Sequence, residues 1–172
     1  MSPEPLSILV MGVCGCGKSV LGERLARELG AVFIEGDDFH PPANVQRMAA
    51  GMALTDDDRQ GWLEALAAQL IRAQAGRRSA VLACSALKRH YRDTLRRGAP
   101  SLHPIHLTGP RTLLALRMAA RQGHYMPASL LDSQLATLEA PGPDERAIVL
   151  DVETPIDTLV QRALAQLKAA SP

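Results

Sequence analysis

Aromatic residues are scarce: one Trp, two Tyr and two Phe make up 3% of the 172 residues. Hydrophobic residues still reach 47%, so a core is affordable in volume and must be built from Leu, Val, Ile, Ala and Met. No charge of one sign dominates. The net charge is +1 and there is no long basic block, so neither nucleic acid nor an anionic membrane is expected as a partner. No apolar run approaches the roughly 18 residues of a membrane span. The opening Met1-Ser2-Pro3-Glu4-Pro5 lacks the charged region and apolar run of a signal peptide, and a cytoplasmic protein is expected. Cysteine is rare as well. Cys14, Cys16 and Cys84 are an odd number, which argues against a disulfide framework. The Cys14-x-Cys16 pair has no further ligands at metal spacing and is not read as a metal site. Both thiols lie beside Lys18 and a helix start, which favours thiolate and suggests sensitivity to oxidants.

What is present is concentrated in one stretch. Gly12-Val13-Cys14-Gly15-Cys16-Gly17-Lys18-Ser19 fits G-x-x-x-x-G-K-[ST]. An apolar run, Leu6 to Met11, precedes it, and an amphipathic helical pattern, Val20 to Leu29, follows. Glycines let the backbone wrap a phosphate with its N–H groups, and the helix N-terminus adds a favourable dipole. Lys18 is placed to reach the β- and γ-phosphates of ATP, and the Ser19 hydroxyl to sit on Mg²⁺. The motif names a donor. It leaves the acceptor open.

The rest of the chain alternates short apolar strands with helical segments. Strands are expected at 8–11, 32–35, 80–84, 104–107 and 148–152, and helices at 18–29, 42–50, 57–75, 88–97, 111–121, 128–138 and 156–169. This order predicts one α/β domain over 1–172, a parallel five-stranded sheet flanked by helices in three layers. Ligands then bind beyond the carboxyl ends of the strands, so polar residues just after each strand are the candidates. The long connection over about 36–60 is expected to form a helical excursion that covers an acceptor.

After the second strand, Asp37 is a candidate to orient Mg²⁺ through water or to accept the proton of an attacking hydroxyl. His40 reads equally as a ligand contact or a turn residue. Arg47 follows on a short helix. In Asp56-Asp57-Asp58-Arg59, capping and the macrodipole account for the acidic residues, but a cation in a first turn is unfavourable. Arg59 is therefore expected to meet a carboxylate, of substrate or of protein. Trp62 reads as packing. Ser85 follows the third strand, and Lys88 and Arg92, four apart, form a basic edge suited to an anionic acceptor. Arg117 reads equally as a phosphate contact or a surface arginine. Arg121 is expected to stabilise the transferring phosphoryl group from a lid over about 117–130, with Gly123 as its hinge. The adenine base is expected near Thr154-Pro155, at the same sheet end.

In sequence order the P-loop, Gly36–Pro41, Asp56–Leu63, Cys84–Asp93, Arg121–His124 and Asp144-Glu145-Arg146 resemble the gluconokinase family. The resemblance runs from about Ser7 to Lys168. It implies ATP-dependent phosphorylation of D-gluconate at its 6-hydroxyl, the nucleoside-monophosphate-kinase-like P-loop NTPase fold with a lid, Mg²⁺ and a homodimer. The chain departs from the family in carrying Cys14 and Cys16 where serines are usual. It also lacks prolines at Ala53 and Gly61, which loosens the segment covering the acceptor. Other readings are a shikimate-kinase-like enzyme, whose Gly-Gly-Gly is replaced here by Cys84-Ser85-Ala86, or a nucleotide-binding regulatory module.

Overall fold

The computed structural model describes residues 4–121 and 127–170. Five parallel strands, β1 (Ser7–Met11), β2 (Val32–Glu35), β3 (Ala80–Ala83), β4 (His103–Thr108) and β5 (Ile148–Asp151), form one sheet in the order β2-β3-β1-β4-β5. β1 lies at the centre, and every one of its residues is buried. β3 is buried throughout as well, as expected of strands covered on both faces. β5, at one edge, alternates instead: Ile148 and Leu150 are buried, Val149 and Asp151 exposed. That alternation marks a strand with one face toward the core.

Seven α-helices are described: α1 (Lys18–Leu29), α2 (Pro42–Ala49), α3 (Asp56–Ala75), α4 (Arg89–Gly98), α5 (Arg111–Ala120), α6 (Ala128–Thr137) and α7 (Ile156–Ala170). Their boundaries follow local chemistry. α2 begins with Pro42, where a missing N–H does no harm. α3 begins with a capping box: the Thr55 hydroxyl accepts from the Asp58 N–H at 3.1 Å, and the Asp58 carboxylate accepts from the Thr55 N–H at 2.8 Å. The acidic run thus includes a helix-start device. α4 starts at Arg89, leaving Lys88 as its N-cap rather than its first residue. α5 ends at Ala120, so Arg121 is its C-cap, and the expected hinge Gly123 and the motif residue His124 lie outside the described residues.

The connection over 36–60 is a 3₁₀ turn (Gly36–Phe39) followed by α2 and a loop. Gly36 is required by close approach: a Cβ there would stand 2.4 Å from the Ala83 carbonyl oxygen. Among the described residues, no helix is long and apolar enough to cross a membrane.

Candidate active site

The loop between β1 and α1 wraps the end of the central strand. Gly12, at φ +146°, has no room for a side chain, since a Cβ would lie 2.7 Å from the Leu107 carbonyl oxygen. Its N–H donates to the Ser85 carbonyl at 3.3 Å, which ties the P-loop to the end of β3. Lys18 folds over the loop, its Nζ donating to the Val13 carbonyl at 3.1 Å. The Ser19 hydroxyl donates to the Glu35 carboxylate at the end of β2.

Two clefts open on this loop. The first, about 710 Å³, is lined by Gly15, Gly17, Arg117, Arg121, Thr154 and Ile156, among others. Arg117 is anchored there by a 2.7 Å bond from Nη2 to the Val152 carbonyl. Pro155 does not line it, although both of its neighbours do. The second cleft, about 660 Å³, lies between the P-loop and the 36–60 connection. Lys18, Ser19, Asp37, His40, Arg59 and Ser85 face it from the N-terminal half of the chain, and Arg121 and Gln134 close it from the C-terminal half. Arg121 lines both clefts, as do Gly15 and Gly17 of the P-loop.

His40 stacks on Trp62, ring centroids 4.0 Å apart and planes at 17°. The Trp62 indole N–H donates to the Gly36 carbonyl at 2.7 Å. Trp62 is thus a packed residue, as expected, and also part of the cleft wall. Burial lowers the His40 pKa, with Asp37 opposing and Arg59 reinforcing the shift, so the ring is neutral at neutral pH. Arg59 is 8% exposed. Its Nη1 donates to the Leu54 carbonyl at 2.8 Å and to the Tyr91 hydroxyl at 3.0 Å. The Tyr91 hydroxyl in turn donates to Asp56. No carboxylate stands within 4 Å of the Arg59 guanidinium among the described residues.

Three expected acceptor contacts are placed elsewhere. Arg92 is fully buried, and its Nε and Nη2 meet the two oxygens of Glu145 at 2.7 and 2.9 Å. Its Nη1 is taken by the Ala86 and Leu87 carbonyls. Each of its three nitrogens is bonded inside the protein and the side chain is fully buried, so Arg92 does not face a ligand. Lys88, outside the cleft lining, pairs with Asp56 at 3.1 Å, and the supposed basic edge is neutralised. Arg47 also stands outside that lining, its Nε 3.4 Å from Asp58.

The expected thiolate at Cys14 is corrected too: burial raises its pKa despite the opposing charge of Lys18. Cys84, for which no thiolate was expected, is pushed up to about 12 by burial. The Cys14 thiol is directed at the Met118 sulfur, 3.4 Å away.

Two polar residues of the second cleft lie outside the sequence-based expectation. Glu35 is the last residue of β2, where it reads as sheet rather than site. Gln134, whose Oε1 accepts from the Cys14 N–H at 2.8 Å, comes from α6 at a sequence distance of 120 and carried no local signal. Among the described residues no group of three or more His, Cys, Asp or Glu forms a metal cage. One hydroxyl and two nearby carboxylates, Ser19 with Glu35 and Asp37, suit Mg²⁺, which keeps waters and relies on phosphate oxygens for the rest of its shell.

Comparison with known proteins agrees with this geometry. A sequence model of the AAA domain family matches residues 8–141. A gluconokinase of Gluconobacter oxydans (strain 621H) is 46% identical over 171 residues, covering 98% of this chain and 95% of that one. The thermoresistant gluconokinase of Escherichia coli (strain K12) is 40% identical over 161 residues, 93% of this chain and 92% of that one. A crystal structure of a gluconokinase from Sinorhizobium meliloti 1021 superposes with a TM-score of 0.88 at 48% identity, covering 98% of this chain and 95% of that one. With its P-loop, its two clefts and these relatives matched over nearly their whole length, the chain belongs to the gluconokinase family.

Proposed function

We propose that the protein transfers the γ-phosphoryl group of ATP to the 6-hydroxyl of D-gluconate, giving 6-phospho-D-gluconate and ADP. The observation that carries this reading is Arg59. A buried guanidinium with no carboxylate beside it, facing a polar cleft, is a receptor for the carboxylate of an acceptor. Asp37, His40 and Ser85 supply polar partners for hydroxyls in the same cleft.

The chemistry is in-line displacement. The acceptor oxygen bonds to the γ-phosphorus as the bond from that phosphorus to the bridging oxygen of ADP breaks. Asp37 orients the acceptor hydroxyl and takes its proton. Lys18 and Arg121, both facing this cleft, hold the charge on the phosphoryl oxygens. Ser19, with the Glu35 and Asp37 carboxylates in the same cleft, would hold Mg²⁺, which would supply neutralisation of phosphate charge. The adenine base is assigned to the cleft beside Arg117 and Thr154. The family resemblance further supports a cytoplasmic homodimer, which sedimentation of the purified chain would test.

The direct test is ADP release measured across gluconate, other aldonates, shikimate and nucleoside monophosphates. Turnover with gluconate is expected; turnover with shikimate or a nucleoside monophosphate but not gluconate would overturn the reading. Asp37→Asn is expected to lower kcat by about 10²–10⁴ with little change in ATP affinity, the range for loss of a general base.

A further inference from the structure

We infer that Arg92 and Glu145 are a positioning pair, which fixes the Ser85 loop between the P-loop and the acceptor cleft. This rests on the proposed reading of that cleft as the acceptor site. The loop between β3 and α4 is held by three successive carbonyls. That of Ser85 accepts from the P-loop Gly12 N–H at 3.3 Å. That of Ala86 accepts from Arg92 Nη1 at 2.9 Å. That of Leu87 accepts from the same nitrogen at 3.3 Å and from the Glu139 N–H at 2.8 Å. Ala86, fully buried, stands at φ +45°, in the left-handed region that a Cβ disfavours. Such a conformation persists only where its surroundings over-determine it.

Arg92 is what over-determines it. The remaining guanidinium donors are locked by both oxygens of Glu145, with side chains 0% and 1% exposed. Glu145 is itself fixed by the Gly142 N–H at 3.2 Å and by Arg96. A bidentate pair allows one guanidinium orientation, so the position of two carbonyls is set from behind. Ser85, the residue before them, faces the cleft. The sequence that precedes β5 thereby controls a residue at the end of β3.

The test compares four single variants and one double variant well below their unfolding midpoints, using whichever acceptor the unmodified protein turns over. Whether that acceptor is gluconate is settled separately on the unmodified protein. Arg92→Lys, which cannot hold two carbonyls and a carboxylate in one plane, should raise the acceptor KM about tenfold or more, with the KM for ATP within about twofold. Glu145→Gln, which keeps one accepting oxygen, should act in the same direction. Ser85→Ala should raise the acceptor KM alone and add little in the Arg92→Lys background, because the two act through one contact. Arg96→Gln, which leaves both Arg92 bonds to Glu145 and both Arg92 contacts to loop carbonyls in place, should lower the melting temperature with the acceptor KM within about twofold. A folded Arg92→Lys protein with an unchanged acceptor KM would overturn the inference. So would full additivity with Ser85→Ala, or an acceptor KM that tracks melting temperature across all variants. Failure of both Arg92→Lys and Glu145→Gln to fold would assign the pair to the core alone.

Discussion

Arg59, in the first turn of α3, and Arg92, on α4, are both buried arginines, 8% and 0% exposed, but only Arg59 lines the second cleft. Arg92 has a carboxylate fitted to its fork, with Glu145 oxygens at 2.7 and 2.9 Å. Arg59 has a carbonyl, a tyrosine hydroxyl and, one bond further on, Asp56 behind that tyrosine. A buried charge is stable only when paired and hydrogen-bonded. Arg92, satisfied within the protein, is structural; Arg59, left short of an anion, is where the proposed function puts the acceptor carboxylate. Position at a strand end does not separate the two, but the counter-ion does.

The largest contrast is expected in stability. Removing one partner of a buried pair leaves the other charge uncompensated and costs about 3–5 kcal/mol. Arg92→Met should therefore lower unfolding free energy by about that amount in denaturant titrations, whereas Arg59→Met strands no carboxylate and should cost well under half as much. Equal losses would erase the distinction between the two arginines.

Acid titration sharpens it next. Burial works to raise the Glu145 pKa, but hydrogen bonds from Arg92 and Arg96 overcome it and hold the carboxyl at about 2, against an ordinary value of 4.5. The unfolded chain takes up this proton first, so stability present above pH 4.5 is lost as pH falls toward 2. His40, His103 and His106 act at higher pH. Burial lowers all three below 6.5, and Arg92 pushes His106 further down. Their contribution is present above 6.5 and is lost as pH falls through their depressed values. Glu145→Gln should abolish the lower limb in pH-dependent unfolding and keep the upper one. Arg59→Gln should keep the Glu145 limb.

The smallest effect concerns the P-loop. With Cys14 held as a thiol by burial, peroxide at neutral pH should leave ATP turnover within about twofold, as coupled ADP release would read. Rapid inactivation lost in Cys14→Ser would restore the thiolate expectation.

The two sides of the site differed in how far they could be read from sequence. The donor side was legible because it is local: eight contiguous residues, a strand before and a helix after fix its form, and it works through backbone. The five strands and seven helices were legible for a related reason, since apolar periodicity records which face is buried. The acceptor side is assembled from β2, α3, the end of β3 and α6, and side-chain direction decides each role. Lys88 and Arg92 are four apart, but Lys88 precedes the helix as its cap, so the shared face that spacing implies is not formed. The partner of Arg92 lies 53 residues on, in Asp144-Glu145-Arg146, and spacing does not reveal a pairing over that distance. Glu35 was hidden by its place as the last residue of a strand, where it reads as sheet rather than site.

The central claim, that Arg59 receives the acceptor carboxylate, is tested most directly by discrimination between gluconate and its neutral analogue with a hydroxymethyl group in place of the carboxylate. The ratio of kcat/KM for the two should be roughly a hundredfold in favour of gluconate in the unmodified protein, as expected for a charge-assisted hydrogen bond. In Arg59→Gln it should collapse toward unity through loss of gluconate turnover alone. A ratio that survives Arg59→Gln intact would contradict the account and return the carboxylate to another part of the cleft.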